Sequence, residues 1–169
     1  MENEIINRVA NSKLVVVDLE DYYPKGQRSV IDIKQWLFHE LVLREKDFRD
    51  YVKQHDWEQY QDHYVALTCT SDAIVPAWAF MLLTVHLEPF AKTVVVGSLE
   101  QLEAALYQDI IQKLDITTYV DQPLIIKGCA HKPVPANAYI MLSQKLRPVA
   151  KSIMYGEACS AVPLYKRKK

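Results

Sequence analysis

Glycine is scarce, with four in 169 residues. Cradling a phosphate with backbone N–H groups needs glycine where the chain turns tightly, and neither GxGxxG nor GxxxxGK[ST] occurs; HExxH and GxSxG are missing too. The familiar nucleotide-binding and hydrolase signatures are therefore absent. Cysteine is rarer still, and three is an odd number, which argues against a disulfide framework. Neither sign of charge is in excess: 20 Lys and Arg face 21 Asp and Glu, a net charge of -1, so nothing advertises nucleic acid. No apolar run approaches the roughly 18 to 20 residues needed to cross a bilayer. Met1-Glu2-Asn3-Glu4 lacks the basic flank and apolar core of a signal peptide. The expectation is a cytoplasmic protein with no nucleic acid and no membrane partner, whose thiols stay reduced. A chain this long can bury about 70% of its unfolded surface in a single domain, residues 1–169, without metal or disulfide.

What is present is a repeat. Shifting the sequence by 59 positions lays Val75-Pro76-Ala77 on Val134-Pro135-Ala136, Ala79 on Ala138, Leu83 on Leu142 and Leu87 on Leu146. It also lays Pro89 on Pro148, Ala91-Lys92 on Ala150-Lys151 and Gly97 on Gly156. Average composition gives roughly one or two such matches by chance. The repeats span 64–98 and 123–157, and each reads strand, loop, helix, strand. Strands are expected at Tyr64–Thr68 and Thr93–Val96 in the first copy, and at 124–127 and Ser152–Tyr155 in the second. The helices between them cover 76–88 and 135–147. Pro76 and Pro135 suit a first helical turn, where their missing N–H is not needed, and Pro89 and Pro148 end the helices. Such a β-α-β order makes each pair of strands parallel neighbours. The fold class is α/β: one domain with a duplicated β-α-β unit and a mostly parallel sheet flanked by helices.

Residues 1–63 form an extension expected to pack on the repeats. Leu14-Val15-Val16-Val17 reads as a buried strand and Asp18-Leu19-Glu20-Asp21 as its solvated end. Residues 30–43 read as a short helix followed by an edge strand. Glu45–Gln54 is a helix with Phe48, Tyr51 and Val52 on one side. His55 to His63 reads as a polar, aromatic linker. Between the repeats, Ser98 and Gln101 make a capping box, and Leu99, Leu102, Leu106, Ile110 and Leu114 mark one face of a further helix. The first repeat helix, Pro76-Ala77-Trp78-Ala79-Phe80-Met81-Leu82-Leu83, has no polar side, so it is expected to lie under other helices or in a homodimer interface. Lys166-Arg167-Lys168-Lys169 reads as a frayed, solvated tail.

Every cysteine follows an apolar run: Cys69 after the first repeat's opening strand, Cys129 after the second's, and Cys159 just past its closing strand. Open parallel sheets gather ligands beyond the carboxyl ends of their strands. The 59-residue shift also lays Asp72 on His131. Three thiolates, one imidazole and one carboxylate are a ligand set for tetrahedral zinc, and iron or an iron–sulfur cluster is the alternative. Cys69, Cys129, Cys159, His131 and Asp72 are the candidate metal ligands. Competing readings are inert thiols packing strand ends, and a thiol transferase or persulfide carrier using Cys129 or Cys159. Asp72 also suits a turn or helix cap, and His131 a plain loop. His39, His55, His63 and His86 are scattered.

Several motifs carry a resemblance. Asp18-Leu19-Glu20-Asp21-Tyr22-Tyr23-Pro24, Leu43-Arg44-Glu45-Lys46-Asp47-Phe48-Arg49, Tyr64-Val65-Ala66-Leu67-Thr68-Cys69 with Asp72-Ala73-Ile74-Val75-Pro76, Lys127-Gly128-Cys129 with Lys132-Pro133-Val134-Pro135, and Lys151-Ser152-Ile153-Met154-Tyr155-Gly156 resemble domain-of-unknown-function family 2480 of bacterial proteins. The similarity covers essentially the whole chain. It implies no established activity. It does imply encoding near iron–sulfur cluster assembly components, which makes those proteins expected partners.

Overall fold

Seven strands form two sheets in a computed structural model that describes residues 14–127, 131–157 and 160–168. The strands are β1 (Val15–Asp18), β2 (Arg28–Asp32), β3 (Tyr64–Thr68), β4 (Thr93–Val96), β5 (Pro123–Lys127), β6 (Ser152–Tyr155) and β7 (Val162–Lys166). The helices are α1 (Glu45–Gln54), α2 (Ala77–Leu87), α3 (Leu99–Lys113) and α4 (Ala136–Leu146). One sheet runs β1-β5-β6-β7 and the other β2-β3-β4. All pairings are parallel except β6 with β7. The α/β class, the β-α-β repeats and their parallel strands stand as expected, while the strands divide between two sheets. Each sheet belongs to its own compact unit, the first made of Met1–Tyr23 and Leu106–Lys169, the second of Pro24–Ala105.

The duplication extends well beyond the matching residues. A 3-10 turn at Glu58–Tyr60 precedes β3, and another at Thr117–Tyr119 precedes β5. The Asp56 carboxylate accepts from Glu58 N at 3.1 Å, and Asp115 accepts from Thr117 N at 2.9 Å. Asp62 and Asp121 both adopt positive φ, 62° and 56°, and donate their backbone N–H groups to Phe90 O and Val149 O. Phe48 and Val52 of α1 are buried, as are Tyr107 and Ile111 of α3 in the corresponding places. Even the N-terminal strands are paired copies. Asp18 lies beside Lys127 and Asp32 beside Thr68, and each aspartate caps a following 3-10 turn through a bond to Glu20 N or Lys34 N. A unit is therefore a strand, a helix and a β-α-β, with β7 added in the first.

This arrangement corrects several local readings. Residues 30–43 are not helix then strand. Ser29, Val30 and Ile31 belong to β2, Ile33–Trp36 is a 3-10 turn, and Phe38 bridges Val42. Branched residues fit the pleat, and the parallel partner β3 decides what a short ambiguous pattern does. Asp18 to Asp21 is not a solvated end, because Leu19 is buried in a 3-10 turn. The aromatic linker contributes core instead: Trp57 and Tyr60 are buried, with Trp57 Nε1 donating to Val52 O at 2.9 Å. On α3 the buried residues are Leu102, Glu103, Leu106, Tyr107 and Ile111, and Leu99 is exposed. Of the C-terminal cations, Lys166 closes β7 and Arg167 pairs with Asp121, while Lys169 lies outside the described residues.

The cores explain why the units hold. In the second, Phe48, Val65, Leu67, Leu83 and Leu87 pack with Trp36 and Trp57; in the first, Val17, Tyr107, Leu124, Ile126, Leu142 and Leu146 pack with one another. Burying one such aliphatic side chain is worth about 1.5 to 3 kcal/mol. The capping box at α3 forms as read, with Ser98 N donating to Gln101 Oε1 at 2.8 Å and Gln101 N to Ser98 Oγ at 3.3 Å. It requires Gly97, at φ 141°, because a Cβ there would sit 2.1 Å from Gln101 Oε1. Of the two expectations for α2, cover by other helices of the chain is not met: Met81 and Val85 are 66% and 70% exposed. Only the Ala79, Leu83 and Leu87 stripe is buried.

Candidate functional site

In the first unit β1, β5 and β6 run parallel and end side by side at one edge of the sheet. Lys127, the last residue of β5, reaches Glu157 just past β6, with Nζ 3.2 Å from Oε1. The Glu157 carboxylate holds the Lys127 ammonium above its ordinary pKa, and Asp18 and Glu20 add to this. Glu20, on the turn after β1, accepts from His131 N at 3.0 Å. The same turn carries Tyr22, whose hydroxyl lies 3.1 Å from that of Tyr119. Burial, then the Tyr119 hydrogen bond, push the Tyr22 phenol up to about 12, so it stays neutral. Lys132 Nζ stands 5.4 Å from the Tyr23 ring centre. Carboxylates, one lysine and one histidine backbone thus converge where β1, β5 and β6 end.

The second unit repeats the edge with different chemistry. Thr70 donates both its amide and its hydroxyl to Asp32. Burial pushes the Asp32 carboxyl up, but those bonds, the Lys34 amide and the Lys34 charge outweigh it and hold it below its usual range. Lys34 in turn pairs with Glu40 at 3.0 Å. Cys69 is half-buried against the core, its Sγ 3.3 Å from Ser71 Oγ. Asp72 is exposed in a groove with Leu41, Ile74 and Trp78. It caps no helix, since Pro76 precedes α2 without a side-chain cap.

Of the five candidate ligands, Cys69 and Asp72 fall in the second unit and His131 in the first, while Cys129 and Cys159 lie outside the described residues. Among the described residues no group of three or more His, Cys, Asp or Glu side chains is placed to hold a metal ion. Nor is any helix among them long and apolar enough to cross a membrane. Sequence reasoning passed over Asp18, Glu20, Lys127 and Glu157. A usable signal was the branched run ending in aspartate, Val15-Val16-Val17-Asp18, recurring as Ser29-Val30-Ile31-Asp32.

These features define an internally duplicated α/β protein of mostly parallel sheets, with a charged edge at the carboxyl ends of its strands. A family model described as "Protein of unknown function (DUF2480)" matches residues 3–167, and the chain belongs to that family. No curated protein and no solved structure is matched by it.

Proposed function

We propose that this protein binds a metal ion, zinc or the iron of a cluster, at the carboxyl edge of its first unit, as an accessory to iron–sulfur metabolism. The ligands in this reading are Cys129, Cys159 and His131, completed by a carboxylate such as Glu20. The observation that carries it is the Lys127–Glu157 pair. Cys129 is two residues past Lys127 and Cys159 two past Glu157, and two residues of chain reach no more than about 7 Å. By the 59-residue offset Cys129 also corresponds to Thr70, the residue that bonds Asp32, and by strand pairing Asp18 holds the place of Asp32. Two sulfurs, an imidazole and a carboxylate are donors that suit zinc, and the sulfurs suit iron. Lys127 supplies the positive charge that favours thiolate over thiol. Cys69 and Asp72 play no part in this site.

The test is anaerobic purification followed by elemental analysis. Zinc or iron near one equivalent per chain is expected, lost in Cys129→Ser and in Cys159→Ser and kept in Cys69→Ser. Metal-free protein, or metal equally retained in all three variants, sinks the reading. A metal-free protein with one fast-labelling thiol lost in Cys129→Ser would instead mark a thiol carrier, which the nearby Lys127 also favours.

A further inference from the structure

The two units differ at one edge. In the first, β6 has β7 on its outer side, antiparallel, with Tyr155 opposite Val162 and Ile153 opposite Tyr165. Leu164 of β7, still half exposed, forms one wall of the groove between α4 and β6, which Tyr139, Ile140 and Tyr155 also line. In the second, β4 ends its sheet, and among the described residues no strand lies outside it. The matching groove, of about 530 Å³, is lined by Phe80, Met81, Thr84, Val85 and Val96, several of them counterparts of the first unit's residues. Its walls are almost wholly apolar. Where α4 carries Gln144, α2 carries Val85.

The geometry points to a homodimer in which β4 pairs antiparallel with β4 of a second copy, bringing the two α2 flanks together across a two-fold axis. The position is one that this fold fills with an antiparallel strand, as β7 shows. Antiparallel pairing of one strand with itself is self-complementary, so both copies cover the same edge at once and the assembly closes. Apart from its short length, the strand lacks the usual guards. Thr93, Val94, Val95 and Val96 include no proline, charge or bulge, whereas β7 carries Pro163 and Lys166 and has an irregular register. A second copy supplies what the groove needs, apolar side chains from its own Met81 and Val85. This inference stands apart from the metal site, which belongs to the other unit.

Sedimentation velocity on the full chain, with hydrogen exchange at low and high concentration, tests it. The expected result is a species of twice the chain mass, with the β4 amides that do not bond β3 protected only at high concentration. Val85→Glu, at an exposed position, should halve the sedimenting mass while leaving the circular dichroism spectrum unchanged and the melting temperature independent of concentration. Gln144→Glu, at the matching place on α4, should leave the dimer intact. A monomer at every concentration, a dimer indifferent to Val85→Glu, or those β4 amides equally protected at both concentrations overturns the proposal.

Discussion

Arg28 and Glu103 form a two-pronged ion pair, with Nε 2.7 Å from Oε1 and Nη2 3.2 Å from Oε2. Both side chains are largely buried, and Arg28 also donates to the carbonyls of Pro24 and Gly26. Removing one member leaves a charge without its partner in a poor solvent. Glu103→Ala is therefore expected to lower stability by about 3 kcal/mol in urea unfolding. Arg28→Lys should lose a good part of that, because an ammonium cannot span both oxygens. Stability within about 0.5 kcal/mol of wild type for Glu103→Ala would show that the pair contributes little.

Tyr107 occupies in the first unit the place that Phe48 holds in the second. The difference is a hydroxyl, which donates to Leu19 O at 2.9 Å in a buried setting. Tyr107→Phe leaves that carbonyl short of a donor and should cost about 1 to 2 kcal/mol by chemical denaturation.

Asp62 and Asp121 hold backbone conformations that suit glycine. Asp62→Gly should be neutral or stabilising by up to about 1 kcal/mol, as the relief of a left-handed residue offsets the added freedom of the unfolded chain. Asp121→Gly gains less, because it also removes the ion pair with Arg167. A matched pair of thermal melts separates the two.

His55 sits edge-on to Trp36 and Trp57 and stacked on Tyr60, with Nε2 2.9 Å from the Tyr60 hydroxyl. Burial lowers its pKa below the ordinary 6.5, and the nearby Asp56 only partly opposes this. A depressed histidine is neutral in the fold while the unfolded chain takes up a proton. Stability is then full above about 6.5 and is lost as pH falls from there to the folded value, below which it levels off. An NMR titration should place His55 below 6.5, and the pH slope of the urea midpoint in that window should flatten in His55→Phe.

The repeat strands were legible because proline, glycine and small residues at fixed offsets survive in both copies, as Pro76 with Pro135 and Gly97 with Gly156 do. The capping box was legible because Ser98 and Gln101 act locally. The older half of the duplication was not, since Phe48 and Tyr107, or Val52 and Ile111, preserve only bulk and burial. Residues 30–43 misled for a related reason. Whether Val30 and Ile31 become strand depends on β3, far along the chain, and no local period records that partner. The division into two sheets is hidden likewise, as it rests on β1 choosing β5 and β2 choosing β3. Of the site, the thiols and His131 were visible as residue types, but the Lys127–Glu157 contact depends on a meeting of β5 with the segment after β6.

The parallel neighbour of Val15 is Leu124, whereas every strand pairing of the second unit is complete by Val96. On the ribosome this opposes the order of synthesis to the order of pairing. The three valines of β1 emerge first and must wait until β5 has been made, while the intervening segment can already close its own sheet. A nascent chain stalled after β4 would carry every strand of one sheet and, in β1, a single strand of the other still without its neighbour.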